Sequence, residues 1–163
     1  MVDQSLHCQQ ARPSSAPGPT LAEVVAEIED PELPHVTIGD LGIVRSVTVE
    51  GERAVIELTP TYTGCPATEQ IRDDVEAAVR AAGYEPVIRI AISPAWTTDW
   101  ITERGRQRLH DAGIAPPGAL EMVACPRCGS RRTRMVSWFG GTACKASYTC
   151  AGCGEPFELF KAI

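Results

Sequence analysis

The first part of the chain alternates between a helical and a two-residue pattern of apolar positions. Apolar residues at helical spacing occupy Leu21–Ile28, directly after Thr20, a residue type that favours helix N-caps. We expect a first helix there, which Pro31 ends. Apolar and polar residues then alternate over Val47–Val49 and Ala54–Leu58, with a glycine between the two runs. A period of two on both sides of a turn residue predicts a β-hairpin.

The pattern continues with a second helix, a strand and a weaker third helix. Apolar residues share one face over Pro66–Ala82, and Gly83 follows in a position that ends helices. Val87–Ile92 predicts a strand, and Thr98–Asp111 predicts a third helix in which Gly105 lowers the helix propensity. The order helix, strand, strand, helix, strand, helix predicts a two-layer α+β domain with helices covering one face of the sheet.

Segments rich in proline and glycine set the predicted domain boundaries. Residues 1–19 contain three prolines and few apolar side chains, so we expect a disordered leader. The α+β domain then covers residues 20–112. Two glycines and two prolines make residues 113–120 a predicted hinge. Residues 121–163 form a second, smaller all-β unit.

The small unit contains two Cys-x-x-Cys pairs, Cys125 with Cys128 and Cys150 with Cys153, and the stretch between them has the pattern of a β-hairpin. Two such turns supply the four thiolates that tetrahedral zinc prefers. A unit of about 40 residues rarely folds without a bound metal or disulfide bonds. We therefore predict a structural zinc ribbon, with iron as the alternative metal because four thiolates also bind iron. Cys144 lies between the pairs, and we interpret it as a buried hairpin cysteine because the pairs already complete a tetrahedral set.

Charge is distributed unevenly along the chain. The net charge is −6. From residue 120 onward the chain contains six Lys or Arg and three Glu, so the ribbon is basic and the remainder is more acidic than the total suggests. An acidic body argues against nucleic acid as the main partner, although the basic ribbon keeps that alternative open. No stretch approaches the roughly 20 apolar residues of a membrane span, and the first residues lack the apolar core of a signal peptide. We expect a cytoplasmic protein without a membrane partner.

The loop before the second helix contains a cysteine in a chemically favourable position. Pro66 suits the first position of a helix, which would place Cys65 at or next to the N-cap. The positive end of the helix dipole stabilises a thiolate there, so this cysteine would be more nucleophilic and a better metal ligand. Hydroxyls of Thr59, Thr61 and Thr63 would add hydrogen bonds to a bound sulfur, cluster or carboxylate. A buried structural cysteine explains the local pattern equally well.

Two further groups of residues have both a functional and a structural explanation. Asp30, Glu32 and Asp40 stand with a histidine between the first helix and the hairpin. Such a group can form an acid–base or metal site, but turn residues that hydrogen-bond nearby backbone fit the sequence better. Trp96 and Trp100 suit packing in a core or domain interface slightly better than a role as anchors for a partner.

Six motifs taken together resemble a known family. Three of them are similar to the domain shared by SufT and the cytosolic iron–sulfur targeting factors, proteins implicated in maturing iron–sulfur enzymes. The other three resemble one branch of that family, the PaaD (also PaaJ) proteins of bacterial phenylacetate degradation. The motifs are DPELP (30–34), DLGIV (40–44) and TPTYTGCP (59–66) for the domain, and AWTTDW (95–100), GIAPP (113–117) and FGGTACKASYTC (139–150) for the branch. The combined match covers the chain except the leader.

The resemblance implies an accessory protein of the multicomponent phenylacetyl-CoA epoxidase, whose oxygenase contains a di-iron centre and whose reductase carries flavin and a 2Fe-2S cluster. The implied partners are these oxygenase and reductase components, and a homodimer is an alternative to a monomer. The chain is expected to help mature or assemble the metal centres and not to be an enzyme, because it lacks paired Glu-x-x-His motifs on long helices and is too short for a flavin reductase. A non-catalytic structural subunit of the complex is the alternative.

The resemblance also implies roles for individual residues. Cys65 is the family's characteristic cysteine and would be a transient ligand for iron or a nascent iron–sulfur cluster. A single cysteine cannot complete a cluster site, so further thiols would come from a partner, a second protomer or a small molecule. Glu32, Asp40 and Thr61 are implied to shape this site.

Overall fold

The computed structural model describes residues 18–62, 64, 66–118 and 122–162. Most of the predicted leader, and also Thr63 and Cys65, lie outside these described residues. The elements in chain order are α1 (Leu21–Ala26), β1 (Val44–Glu50), β2 (Arg53–Leu58), α2 (Ala67–Ala81), β3 (Glu85–Ile90), a 3-10 turn (Thr98–Trp100), α3 (Glu103–Asp111), β4 (Ile114–Ala115), β5 (Thr133–Ser137), β6 (Lys145–Cys150) and β7 (Pro156–Phe160).

The body contains a three-stranded sheet in the order β1-β2-β3, with α2 connecting β2 to β3. β1 and β2 pair antiparallel around Gly51, whose φ of 63° suits the turn, and this is the predicted hairpin. β2 and β3 pair in parallel, so both strands end at the same edge of the sheet. The chain segments that follow them, including the loop of Cys65, therefore start from one side of the body.

α2 and the central strand form the main core of the body. The alternate residues Ala54, Ile56 and Leu58 of β2 are buried together with Ile71, Val75 and Val79 of α2, which recur at helical spacing. α2 is the longest helix of the described residues at 15 residues. Throughout the described part of the chain, no helix combines the length and the apolar character that crossing a bilayer requires.

α1 is shorter than its apolar pattern predicts. Thr20 and Glu23 form a capping box at its start, as the sequence indicates, but the helix ends at Ala26. The following loop folds back on it, because Ile38 N–H donates to Ile28 O at 2.8 Å and Gly39 N–H donates to Ala26 O at 3.0 Å. These bonds use carbonyl groups that a longer helix would need.

The predicted third helix is divided into two pieces. The 3-10 turn ends at Trp100, and α3 begins at Glu103 after a new N-cap, Thr102, whose side chain accepts a bond from Gly105 N–H at 2.9 Å. The glycine that weakens the helical pattern has a packing role. A Cβ atom at position 105 would lie 2.6 Å from the carbonyl oxygen of Asp40, so only glycine allows this close approach.

The C-terminal part of the chain forms a second sheet in the order β4-β7-β6-β5. β5 and β6 pair antiparallel, which is the hairpin expected between the cysteine pairs. β4 lies inside the segment predicted as a hinge and pairs in parallel with β7, so that segment contributes to the ribbon sheet. The division of the chain into separate domains at this point stays a prediction.

The ribbon packs directly on the body. Cys144 and Phe160 belong to the same hydrophobic cluster as the body core, and the rings of Phe160 and Trp96 meet edge to face with centroids 6.0 Å apart. The indole Nε1–H of Trp96 donates to Leu41 O at 2.8 Å. Trp96 is buried and packs at the interface, the interpretation that the sequence slightly favours.

Candidate functional site

The two cysteine pairs occupy turns of the same construction. Gly129 N–H donates to Cys125 O, and Gly154 N–H donates to Cys150 O, each at 2.8 Å. Both glycines have positive φ, 71° and 79°, and each directly follows the second cysteine of its pair. The repeated Cys-x-x-Cys-Gly sequence therefore builds two matching turns that face each other.

The four sulfur atoms of Cys125, Cys128, Cys150 and Cys153 all lie within 4.8 Å of one another. The sulfurs of Cys125 and Cys153 are 3.8 Å apart, and those of Cys128 and Cys150 are 3.6 Å apart. With Zn–S bonds of about 2.3 Å, tetrahedral coordination separates the sulfurs by about 3.8 Å. The donor set therefore fits a four-thiolate zinc ion in both chemistry and spacing.

The backbone and the neighbouring sulfurs shift the pKa values of Cys150 and Cys128 in opposite directions. The backbone N–H of Cys153 lowers the pKa of Cys150 to about 6 despite desolvation, and Gly152 contributes a second N–H. The Ser130 N–H acts in the same direction on Cys128, but desolvation and the neighbouring sulfurs raise its pKa to about 12. Ionisation of Cys128 near neutral pH therefore requires the charge of a bound cation.

Cys144 lies outside this cluster. Its side chain is buried in the packing between ribbon and body, and its sulfur lies 3.1 Å from the Thr142 hydroxyl. Burial raises the pKa of the Cys144 thiol, which therefore stays protonated near neutral pH. The structure agrees with the interpretation of a buried hairpin cysteine.

The described residues on either side of Cys65 line an exposed concave surface. Gly64 and Pro66, the N-cap of α2, share this surface with Pro60, Ile90 and Ile92. Ile92 is 72% exposed, which is unusual for a large apolar side chain. Thr68 and Glu69 line it too, so this surface beside the loop of Cys65 combines exposed apolar side chains with a hydroxyl and a carboxylate.

Thr61 and Asp30 line one small cavity next to this surface. Asp30 is buried, and its carboxylate accepts the Glu32 backbone N–H at 2.8 Å. Burial raises the pKa of Asp30, and the negative charge of Glu32 raises it further, although that N–H bond opposes the rise. The structure brings Thr61 and Asp30 together and places Glu32 beside Asp30; the implied roles of Thr61 and Glu32 toward Cys65 stay predictions.

Asp40 binds a different part of the molecule. Its carboxylate is fully buried and accepts hydrogen bonds from Arg104 Nε at 2.6 Å and Arg108 Nη1 at 2.7 Å, both on α3. Burial alone would raise the pKa of Asp40, but the bonds from Arg104, Thr37 and Arg108 lower it below its usual value. Asp40 therefore attaches α3 to the loop before β1, and a role near Cys65 stays a prediction.

Two adjacent exposed aromatic residues, Trp138 and Phe139, form what we call the aromatic tip of the ribbon. The Nζ of Lys161 lies 5.0 and 5.2 Å from the centroids of these two rings and donates to Trp138 O at 3.3 Å. The functional candidates predicted from the sequence do not include this tip. Two aromatic residues directly before two glycines were the available signal, because a turn position rarely buries large rings.

Comparison with known proteins identifies both parts of the chain. Residues 20–90 match the family model of the iron–sulfur cluster assembly protein, and residues 111–161 match that of the PaaD zinc β-ribbon domain. A putative 1,2-phenylacetyl-CoA epoxidase subunit of Escherichia coli (strain K12) is 48% identical over 148 residues, covering 86% of this chain and 90% of that protein. The chain belongs to the PaaD family. This confirms the resemblance inferred from the motifs.

Solved structures match the body of this PaaD-family chain. A crystal structure of a domain of unknown function, DUF59, from Bacillus anthracis has 30% identity and a TM-score of 0.50, and covers 55% of this chain and 87% of that one. A solution structure of a Mycobacterium tuberculosis protein associated with Fe-S complex assembly and repair has 33% identity, covers 57% and 82%, and gives a TM-score of 0.36. The Bacillus anthracis structure confirms the predicted α+β class.

The same comparisons assign the metal of the ribbon. The PaaD zinc ribbon model covers all four clustered cysteines, and their sulfur spacing fits tetrahedral zinc. The cluster is a structural zinc site, as predicted.

Proposed function

We propose that this PaaD-family protein is a non-catalytic accessory factor of the phenylacetyl-CoA epoxidase system and helps to mature or assemble its iron–sulfur or di-iron centres. The relative with 48% identity is named as a subunit of that epoxidase. The body matches the iron–sulfur cluster assembly family over residues 20–90. The combination of this body with a zinc ribbon in one chain is the observation that carries the proposal.

Cys65 is the residue that we propose to hold iron or a nascent cluster transiently. The loop that contains it follows β2 and precedes α2, and the residues beside it line the exposed surface with Pro60, Ile90 and Ile92. The exposed side chains of Ile90 and Ile92 on this surface would lose contact with water if another protein covered them. A client that covers this surface would bring its own ligands to the metal, so a single cysteine would suffice for delivery.

The ribbon is the second proposed contact with the clients. Four arginines of the described part of the ribbon lie in or close to the first cysteine pair and β5. The aromatic tip is exposed directly after β5. Aromatic residues and arginine are the types most enriched in protein interfaces. The oxygenase and reductase components are the proposed partners, and the cytoplasm is the proposed location because both metal handling and the zinc thiolates require reduced cysteines.

Substitution of Cys65 tests the proposal. The oxygenase and reductase components are produced with wild-type protein or with Cys65→Ala, and their iron and acid-labile sulfide are measured after purification. We expect Cys65→Ala to be folded and to leave a client metal-deficient, because the variant lacks the delivering thiol. Cys144→Ala is the matched control, since it removes a different thiol outside the zinc cluster. Full metal content of every client in the presence of Cys65→Ala would refute the maturation role.

A structural subunit of the epoxidase complex is the second candidate, and the exposed aromatic tip favours it. In that case the protein would co-purify stoichiometrically with the oxygenase subunits. Trp138→Ser combined with Phe139→Ser would abolish co-purification and activity while the oxygenase kept its iron. The two candidates thus differ in the metal content of the oxygenase. A homodimer would supply a second Cys65, and light scattering of the purified protein tests for it.

A further inference from the structure

The ribbon sheet has an open edge at β5. In the sheet order β4-β7-β6-β5, this strand pairs with β6 on one side, and no strand of the described residues pairs with its other side. Ala151 N–H donates to Arg132 O at 2.7 Å, so the backbone polar groups of Arg132 face β6. Because this orientation alternates along an antiparallel strand, the N–H and C=O of Thr133 and Met135 face the open side. An open edge of this kind accepts an extended segment of another chain.

Large exposed apolar side chains are concentrated at the same strand and directly after it. Nine such residues are exposed in the described part of the chain, and four of them lie between positions 135 and 139. These four are between 43% and 71% exposed and comprise Met135, Val136, Trp138 and Phe139. Single exposed apolar residues are normal, whereas a contiguous group indicates a contact surface.

The charges beside this group are positive and have no carboxylate partner within the described ribbon. Two ion pairs use both glutamates of that part of the chain: Arg127 with Glu155 at 2.7 Å, and Lys145 with Glu158 at 2.8 Å. Arg132 and Arg134 are exposed at the start of β5 and are left without a glutamate. At the other end of the strand, Lys161 Nζ lies 5.0 Å from the ring centroid of Trp138. Free positive charge at both ends favours a partner that carries carboxylates.

The composition of this edge favours a protein over a nucleic acid as the partner. Arg, Met, Trp and Phe supply six of the nine residues 131–139, and these types are enriched in protein interfaces. The net charge of −6 opposes the approach of a phosphate backbone to the chain. Met135 and Val136 also have no flat ring on which a base can stack.

We propose that the open edge of β5 and the aromatic tip together dock an extended acidic segment of a partner protein, whose carboxylates pair with Arg132 and Arg134. A β-bulge at Val136 interrupts the strand pairing, so the backbone of the segment pairs before the bulge and its apolar side chains contact the aromatic tip beyond it. The inference rests on the proposed function, because the partner is taken to be a component of the phenylacetyl-CoA epoxidase.

The first test measures binding of the full zinc-loaded chain to the purified oxygenase and to the purified reductase at about 0.15 M salt. We expect Arg134→Glu to weaken binding to one component by about tenfold or more, because repulsion replaces attraction. Arg80→Glu is the matched control, since it makes the same charge change at an exposed position in the last turn of α2, outside the ribbon. It should bind as the wild type does. Equal weakening in both variants, or no binding of the wild type to either component, would overturn the proposal.

The second test identifies the carboxylates of the partner. Arg134→Lys keeps the positive charge and supplies an amine, which a carbodiimide joins to a nearby carboxylate as an amide with loss of water. Mass spectrometry then locates the link. We expect it at an Asp or Glu within one segment of the component that also contains apolar residues. Links scattered over the component, or links only to a second copy of this chain, would overturn the proposal.

Hydrogen exchange in the same complex tests the open edge directly. We expect slower exchange of the β5 amides on binding, and no change in β1, which is an edge strand of the body sheet. Unchanged exchange in β5 would overturn the proposal. Binding of a single-stranded DNA oligonucleotide at about 0.15 M salt that Arg134→Glu abolishes would assign the edge to nucleic acid instead and would overturn it as well.

Cys65→Ala separates this inference from the proposed function. The variant should bind the component as the wild type does, because the edge of β5 is unchanged. Full client metal content with Cys65→Ala that docks normally would overturn the maturation role alone. Metal-deficient clients with Cys65→Ala, together with wild-type binding by Arg134→Glu, would overturn the docking site alone.

Discussion

Replacing Asp40 with asparagine removes the negative charge that attaches α3 to the loop before β1. The carboxylate is fully buried and accepts bonds from Arg104 at 2.6 Å, Arg108 at 2.7 Å and the Thr37 N–H at 3.2 Å. Asparagine has the same shape, but its amide NH₂ replaces one acceptor with a donor that faces arginine donors. At least one arginine would lose its partner.

The expected cost follows from the exposure of the partners. A hydrogen bond to a charged group contributes about 1.5–3 kcal/mol, so two such bonds set an upper bound of about 6 kcal/mol. Arg104 and Arg108 are 51% and 32% exposed, so both recover part of their hydration when the carboxylate is lost. We therefore expect Asp40→Asn to lower the free energy of unfolding by about 3 kcal/mol, which corresponds to a fall in Tm of about 6–12 °C.

The contribution of Asp40 also depends on pH. Burial raises the pKa of Asp40, but hydrogen bonds from Arg104 and Thr37 outweigh it, so the pKa in the folded protein lies below its usual value of 3.8. The unfolded chain thus binds a proton at higher pH than the folded chain does. The stabilisation is complete above about pH 4 and is lost as the pH falls through the folded-state pKa. The difference between wild type and Asp40→Asn should stay constant near neutral pH and narrow below about pH 4.

Urea unfolding at about pH 7 and about pH 3 measures both effects. Glu27→Gln is the control, because Glu27 pairs with the same Arg104 at 2.7 Å but both side chains are half exposed. An exposed pair of this kind contributes about 0–1 kcal/mol. Equal destabilisation by Asp40→Asn and Glu27→Gln at neutral pH would refute the argument that burial gives the Asp40 bonds their strength.

Two further predictions concern close packing and the zinc site. Gly105→Ala should lower the free energy of unfolding by about 2 kcal/mol in urea unfolding, because the new Cβ would lie 2.6 Å from Asp40 O. This loss would outweigh the higher helix propensity of alanine. A gain in stability would contradict the packing argument. Cys128→Ser should lower the zinc content measured by elemental analysis well below one equivalent per chain. Cys144→Ala should retain one equivalent, because Cys144 lies outside the cluster. Equal zinc loss in both variants would contradict the ligand assignment.

Elements with strong local signals were predictable from the sequence. The capping box at Thr20 and the alternating residues of β2 are specified by neighbours within a few positions. β4 was not predictable, because Ile114 and Ala115 form a strand only through their pairing with β7, more than 40 positions later. The division of the third helix likewise depends on Thr102, whose backbone N–H donates to Asp40 O at 2.9 Å.

The candidate sites divide in the same way. The zinc ligands were predictable, because each pair of thiols and its following glycine lies within five consecutive residues. The partners of Asp40 were not, since Arg104 and Arg108 lie more than 60 positions away and nothing in the local pattern connects them.

The packing of Phe160 against Trp96 connects the zinc ribbon to the body that carries the proposed iron-delivery loop. Phe160 belongs to the ribbon, which depends on zinc for folding, while Trp96 belongs to the body, and both side chains are buried in one hydrophobic cluster. Loss of zinc would remove the Phe160 ring from its contact with Trp96 and leave a cavity in the body core. The free energy of unfolding of the body would therefore also depend on zinc. Under the proposed function, zinc supply would then limit the amount of folded protein that can deliver iron.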